Sequence, residues 1–315
     1  MIGEEIFIKL KNRFKGTGKF RILFCPYKED MFDCMETIFE SAKKDDDTIT
    51  EIMPIPYFKL ERQLPKELAM EFPNYCGNFP EALNDGWDCI IVHNQYDQYN
   101  SVTRLLLTSL MLKQFCNNLV FIGYAVIGDR DIDREEIHLP AFKNFDLVIC
   151  ETEKQAEQTE RYIREFGWSG KAVGWGNPKY DKLDKEIFIP MPWRDKIEGK
   201  EIILLQTSLV PFMQHPAEKF EQITETIKKY FNDDKVCLWW RPHPLLEHTI
   251  KTQFTPIFDD YEMLVSMVRG SRHIYDDTRD CHRAIIASDR MISDKSSMVI
   301  MYRKTGKPIE MLEEL

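Results

Sequence analysis

Short apolar runs alternate with longer amphipathic stretches along the whole of this 315-residue chain. That alternation narrows its folds more than any other feature. An apolar run of about four to eight residues suits a buried strand, and the stretches between runs are long enough for the crossover helices that parallel strands require. The pattern predicts strands near Phe20–Tyr27, Ile49–Pro56, Asp88–Asn94, Leu119–Ile127, Leu147–Glu151 and Lys171–Gly176, and helices near Asp30–Ala42, Ser101–Phe115 and Glu153–Phe166. It then predicts strands near Glu201–Gln206, Lys235–Trp240, Ser271–Tyr275, Arg290–Ser293 and Lys307–Met311, and helices near Ala217–Phe231, Asp259–Val268, Arg279–Ala287 and Ser297–Thr305. Lys182–Lys200, with Pro190-Met191-Pro192, reads as a linker, and the Pro-, Asn- and Phe-rich segment Lys59–Asn84 as an irregular surface excursion. A chain of this length suits two domains of about 150 residues each. The expectation is an α/β protein of two Rossmann-like domains, 1–185 and 186–315.

Composition removes several classes. Apolar residues at 43% and charged residues at 30% match a soluble globular protein. No apolar run reaches the roughly 18 residues of a spanning helix, and the acidic start Met1-Ile2-Gly3-Glu4-Glu5 lacks a signal-peptide layout, so a cytoplasmic location is expected. A net charge of −10 argues against a general nucleic-acid binder, while allowing a local basic pocket. The eight cysteines are scattered without a CxxC pair, as expected of buried thiols in a reducing compartment.

Ligands of open parallel sheets bind beyond the carboxyl ends of the strands. In the second half those ends carry Thr207 and Ser208; Arg241-Pro242-His243-Pro244; Asp276, Asp277 and Thr278; and Asp294-Lys295-Ser296-Ser297. The set suits a nucleoside diphosphate. Ser296 and Ser297 begin a helix, where backbone N–H groups and the dipole favour phosphate; Arg241 or His243 could neutralise a phosphate oxygen; an Asp could accept from ribose hydroxyls. Singly, the serines are ordinary helix caps and the aspartates solvated turns; their shared position at strand ends favours a site. In the first half, His93-Asn94-Gln95-Tyr96-Asp97 follows a strand, and His93 or Asp97 could deprotonate an acceptor hydroxyl. Tyr57, Asn94, Tyr96 and Tyr124 are the acceptor-side candidates.

Other motifs fail on context. Gly16-Thr17-Gly18-Lys19 precedes a strand instead of following one, Asp129-Arg130-Asp131 reads as a solvated acidic turn, and neither GxGxxG nor GxSxG occurs. No protein metal site and no cofactor is predicted.

The blocks Trp239-Trp240-Arg241-Pro242-His243-Pro244-Leu245, Ile274-Tyr275-Asp276-Asp277, Ser293-Asp294-Lys295-Ser296-Ser297 and Thr305-Gly306-Lys307-Pro308, in this order, resemble the CDP-glycerol glycerophosphotransferase family of teichoic-acid-type polymerases. Gly174-Trp175-Gly176-Asn177-Pro178-Lys179-Tyr180-Asp181-Lys182-Leu183 resembles that family's domain-junction segment. The resemblance spans roughly residues 88–312. It implies a GT-B-like fold, two Rossmann-like domains facing across a cleft, and transfer of a polyol phosphate from a CDP-activated donor to an acceptor hydroxyl. It implies donor roles for Arg241, His243, Asp277, Ser296 and Ser297. The family's N-terminal His-Gly-Thr-Pro-Leu-Lys segment is replaced here by Phe121-Ile122-Gly123-Tyr124-Ala125-Val126, without a histidine. His93 or Asp97 is then the replacement base of a divergent branch.

The leading expectation is transfer of a polyol phosphate from a CDP-activated donor to a polymer or glycolipid hydroxyl, in cell-surface polymer synthesis, with peripheral association at the inner membrane face left open. One alternative keeps the fold and uses a UDP-sugar, as glycosyltransferase or sugar-nucleotide epimerase; fold alone does not decide between chemistries. Another is a catalytically degenerate nucleotide-binding regulator. Neither the acceptor nor the oligomeric state is legible in the sequence.

Overall fold

The structure, a computed structural model, describes residues 1–27, 29–61, 64–69, 86–100 and 107–312. The chain divides into two compact units, Met1–Lys182 and Leu183–Leu315. Each is built on a parallel sheet.

The first sheet contains β1 (Phe20–Cys25), β2 (Thr48–Ile52), β5 (Trp87–Val92), β6 (Cys116–Ile122), β7 (Leu147–Cys150) and β8 (Lys171–Gly174), in the order β2-β1-β5-β6-β7-β8. Its strands alternate between two cores, as the two-residue period of a strand requires. Leu23, Ile90, Leu119, Phe121 and Val148 face one core with Ile163 of the helix Glu153–Glu165. Phe24, Cys89, Ile91, Val120 and Ile149 face the other with Ile6, Leu10 and Ile38. An antiparallel hairpin, β3 (Tyr57–Glu61) with β4 (Leu64–Ala69), occupies part of the segment predicted to be irregular; residues 70–85 lie outside the described residues.

The second sheet contains β9 (Glu201–Thr207), β10 (Val236–Pro242), β11 (Ile274–Tyr275), β12 (Arg290–Ser293) and β13 (Ile309–Met311), in the order β11-β10-β9-β12-β13. Ile203, Leu205, Leu238, Trp240 and Ile292 pack with Ile223, Ile227, Leu264 and Val268 from the helices Pro216–Phe231 and Thr255–Arg269. In each sheet the direction of strand addition reverses beside the first strand: between β1 and β5, and between β9 and β12. Such switch points open a crevice at the carboxyl edge.

Several local predictions need correction. The helix Ile2–Phe14 was not expected. Its cap comes from far along the chain: Asp181 accepts hydrogen bonds from the backbone N–H groups of Ile2 and Gly3, both at 2.8 Å, and from Thr37 Oγ1 at 2.7 Å. Gly3 is required by this closeness, since a Cβ there would lie 2.0 Å from Thr37 Oγ1. Asp181, at the end of the first unit, therefore fastens that unit's first helix. The helix expected over Ser101–Phe115 is, where described, a single turn at Ser109–Leu112 followed by a 3-10 turn at Lys113–Phe115. The expected linker carries the helix Met191–Ile197, and Leu246–Gln253 is a further unpredicted helix. Among the described residues, the seven cysteines are free thiols, no helix is long and apolar enough to cross a membrane, and no cluster of three His, Cys, Asp or Glu is placed to hold a metal ion.

Candidate functional site

β9, β10, β11 and β12 end at Thr207, Pro242, Tyr275 and Ser293. The four predicted polar clusters of the second unit therefore start loops at one sheet edge. Their side chains divide into a network at the β9/β12 switch point and a second network beyond β10 and β11.

Gln206, only 3% exposed, organises the first. Its Oε1 accepts from the hydroxyls of Ser293 and Ser296, the latter at 3.0 Å. Ser208 is buried beside it, and its hydroxyl donates to the Lys295 carbonyl at 3.3 Å. Asp294 accepts from the Ser208 backbone N–H at 3.0 Å and from Lys219 Nζ at 2.9 Å. Lys219 and Asp294 are 5% and 4% exposed, so this is a buried ion pair. Beside it lies a cavity of about 430 Å³, lined by His215, Lys219, Asp294 and Lys295 with apolar lips from Val210, Pro211 and Met311. Ser297 is exposed at the start of the helix Ser297–Arg303. The sequence reading missed Gln206 and Lys219; nothing local marks a lysine on a helix as the partner of an aspartate on a distant loop.

In the second network Arg241 and Asp276, both expected donor ligands, are paired with each other and largely buried, and Asp276 also lines the depression beside His243. Arg241 Nη1 lies 2.9 Å from Asp276 Oδ2, with side chains 5% and 0% exposed. Its other terminal nitrogen donates to the Thr278 carbonyl at 2.7 Å, and Trp239 Nε1 donates to Asp276 at 2.9 Å. These groups shape the loop after β11. Thr207 is buried too, with Oγ1 accepting from Trp240 Nε1 at 3.3 Å. Asp277 is exposed and paired with Arg269. His243 keeps a presentable group. Its Nδ1 accepts the Leu245 backbone N–H at 3.1 Å, so the neutral ring carries its proton on Nε2 as a donor. Burial lowers its pKa from 6.5, which favours that neutral form. His243 lines a small depression of about 80 Å³ with Asp277 and Thr278.

In the first unit, the Tyr27 backbone N–H donates to His93 Nε2 at 2.8 Å, tying the carboxyl ends of β1 and β5 together at their switch point. His93 is fully buried, and action as a base at Nε2 would require giving up that bond. Asp97, 2% exposed, accepts from the Ser109 N–H at 3.0 Å and from the Ser109 hydroxyl. It braces the loop after β5, at a positive φ of 39° that favours few side chains. Asn94 accepts from the Tyr96 N–H at 3.0 Å, an Asx turn. Tyr57 packs edge-on against Tyr27 at 5.6 Å.

A cavity of about 470 Å³ opens at this edge, over β6 and β7. Of the acceptor-side candidates it gathers Tyr96 and Tyr124; His93, Asn94, Asp97 and Tyr57 are not among its described lining residues. Glu151 was not expected there. Its carboxylate accepts from the backbone N–H groups of Ile127 and Gly128 at 2.7 and 3.2 Å, and from the Tyr180 hydroxyl at 3.0 Å. It fixes the loop that forms one wall.

No protein-family model and no curated protein sequence matches this chain. Solved structures do. A Listeria monocytogenes protein assigned as a UDP-N-acetylglucosamine 2-epimerase is 14% identical over 94% of this chain and 80% of that chain, with a TM-score of 0.59. The UDP-GlcNAc 2-epimerase from Neisseria meningitidis, solved with UDP-GlcNAc, is 14% identical over 94% and 83%, with a TM-score of 0.55. The wall teichoic acid polymerase TagF is 11% identical over 98% and 73%, with a TM-score of 0.47, too low to bear on the argument. At these identities the likeness concerns fold. The two parallel-sheet units make this an α/β chain of GT-B-like fold, the class expected from the sequence.

Proposed function

We propose that the chain is an enzyme acting on a nucleotide-activated sugar, held as its nucleoside diphosphate by the second unit. The observation that carries this reading is the β9/β12 switch point. There a cavity of about 430 Å³ meets the ammonium groups of Lys219 and Lys295 and the imidazole of His215 against a single carboxylate, Asp294, already paired with Lys219. Cations around a pocket at a switch point favour a diphosphate. Neutral His243 offers an Nε2–H to a phosphate oxygen at the same sheet edge. Uridine is the favoured base because the GT-B-like relatives above a TM-score of 0.5 include one solved with UDP-GlcNAc. Polyol phosphate transfer from a CDP donor is the second reading, favoured by the order of the Arg241–Leu245, Ile274–Asp277 and Ser293–Ser297 blocks.

A calorimetric and thermal-shift series with UDP, UDP-GlcNAc, CMP and CDP-glycerol tests both. A ligand at a hundred times its Kd stabilises the native state by about 2.7 kcal/mol. Uridine-selective stabilisation is the expected result, and cytidine-selective stabilisation would replace the first reading by the second. No binding of any of the four would remove both. His243→Ala should weaken the diphosphate by about 1.5–3 kcal/mol, the value of a hydrogen bond to a charged group.

A further inference from the structure

The cavity of the first unit has a different chemistry. It spans the carboxyl ends of four strands, from Gln95 beyond β5 to Asn177 beyond β8. Its body is apolar: Phe121, Ile132, Ile137, Phe142 and Val148 are all at most 8% exposed and all line it. Its charged lining comprises one arginine, Arg130, against Asp133, Glu135, Glu136 and Glu151. Arg130 is itself paired with Glu136 at 2.8 Å. One buried acceptor is unused: among the described residues Gln95 Oε1, on the wall, has no hydrogen-bond partner. A buried polar atom in that state favours a ligand that donates to it.

We infer that this cavity binds a small, non-anionic organic molecule with an apolar body and a hydroxyl or ammonium group that donates to Gln95. The apolar walls take the body, the amide oxygen takes the donor, and the carboxylates repel anions. A volume near 470 Å³ lies within the range of small-molecule pockets.

The test uses the full chain without nucleotide, so that its outcome is separate from donor binding. Cyclohexylmethylamine, cyclohexylmethanol and cyclohexanecarboxylate share a ring and differ in head-group charge. Saturation-transfer NMR at pH 7 and low salt should give millimolar affinity for the amine and the alcohol, and at least about tenfold weaker binding of the carboxylate, a difference of about 1.4 kcal/mol. Gln95→Leu should weaken the alcohol about tenfold, the value of one hydrogen bond. Val148→Trp, which fills the cavity, should abolish binding; should that variant fail to fold, the exposed-rim pair Glu135→Lys and Glu136→Lys serves instead, and should bring the carboxylate level with the alcohol. The inference is overturned by carboxylate binding equal to that of the alcohol in the unaltered chain, by no binding of any probe, by an unaffected Gln95→Leu variant, or by a rim pair that leaves the carboxylate as weak as before. Loss of UDP binding with these results intact would sink the donor reading alone.

Discussion

Lys219→Met should be among the most destabilising single substitutions in the second unit. Lys219 Nζ and Asp294 Oδ1 are 2.9 Å apart, and both side chains are at least nine-tenths buried. At an effective dielectric of about 20 their attraction is about 6 kcal/mol. Much of it is offset by removing two ions from water, so the pair as a whole adds little net stability. Removing only the lysine is another matter. Asp294 would stay buried with the Ser208 N–H at 3.0 Å as its remaining partner in the network, and leaving a buried charge uncompensated costs about 3–5 kcal/mol. The double variant Lys219→Met with Asp294→Asn removes both charges, and its amide oxygen can still accept from Ser208. It should lie within about 1 kcal/mol of the unaltered chain. Urea unfolding followed by tryptophan fluorescence, in a background with Trp87, Trp168 and Trp175 of the first unit replaced by Phe, reads this unit through the fully buried Trp239 and Trp240. With a slope near 2 kcal/mol per molar urea, the single variant should lower the midpoint by about 1.5–2.5 M. A single variant that costs less than about 1 kcal/mol, or a double variant as unstable as the single one, would refute the buried-pair argument.

His273 supplies an acid-sensitive element. It is fully buried, Nδ1 accepts the Leu238 N–H at 3.0 Å, and Nε2 lies 3.0 Å from the Phe231 carbonyl, so the neutral ring satisfies both nitrogens. Burial, the largest cause, lowers its pKa from 6.5. The unfolded chain then binds the proton more readily, so this contribution is complete above about pH 6.5 and is lost as pH falls through that value toward the lower folded pKa. Urea midpoints of the second unit measured from pH 7 to 5 should fall, and should fall less in His273→Asn; equal slopes for the two proteins would count against it. Asp181→Ala should cost the first unit about 2–4 kcal/mol, from the lost helix cap and the stranded Thr37 hydroxyl. Amide exchange at Gly3 should speed in parallel; unchanged exchange would mean the helix Ile2–Phe14 does not depend on this cap.

The alternation of strands and helices was legible because each buried strand must be apolar over its own length, whatever lies elsewhere in the chain. The helix Ile2–Phe14 was not, because its cap is Asp181, 178 positions from Gly3, and no local signature announces it. The hairpin Tyr57–Glu61 with Leu64–Ala69 was hidden because it lies mostly in a segment whose Pro, Asn and Phe content reads as irregular, although the ladder pairs Pro65 with Leu60. At the site, sequence placed the polar clusters on strand ends but could not tell which side chains face outward. Arg241 has the chemistry of a phosphate ligand, and its buried pairing with Asp276 is a contact between two strand ends that no local pattern announces. Gln206 and Lys219 show the reverse: they carry the switch-point network while resembling an ordinary strand end and an ordinary helix position.

The two sheets share a topology at their switch points and treat them in opposite ways. Between β1 and β5 the His93–Tyr27 hydrogen bond joins the strand ends, and the space opens further along the edge, over β6 and β7, with apolar walls and surplus carboxylates. Between β9 and β12 the space stands beside the reversal itself, with two lysines against one carboxylate. A diphosphate is repelled by the first cavity and attracted by the second, so a single nucleotide-activated ligand has only one of the two in which to place its charge. This contrast in lining charge is the physical ground for proposing the second unit as the place of the donor. The same inequality predicts that raising the salt concentration weakens a nucleotide in the second cavity and leaves a neutral alcohol in the first almost unaffected, since screening acts only on the charged partner. Parallel titrations of UDP and cyclohexylmethanol at low and high salt would contradict the division if both ligands responded alike.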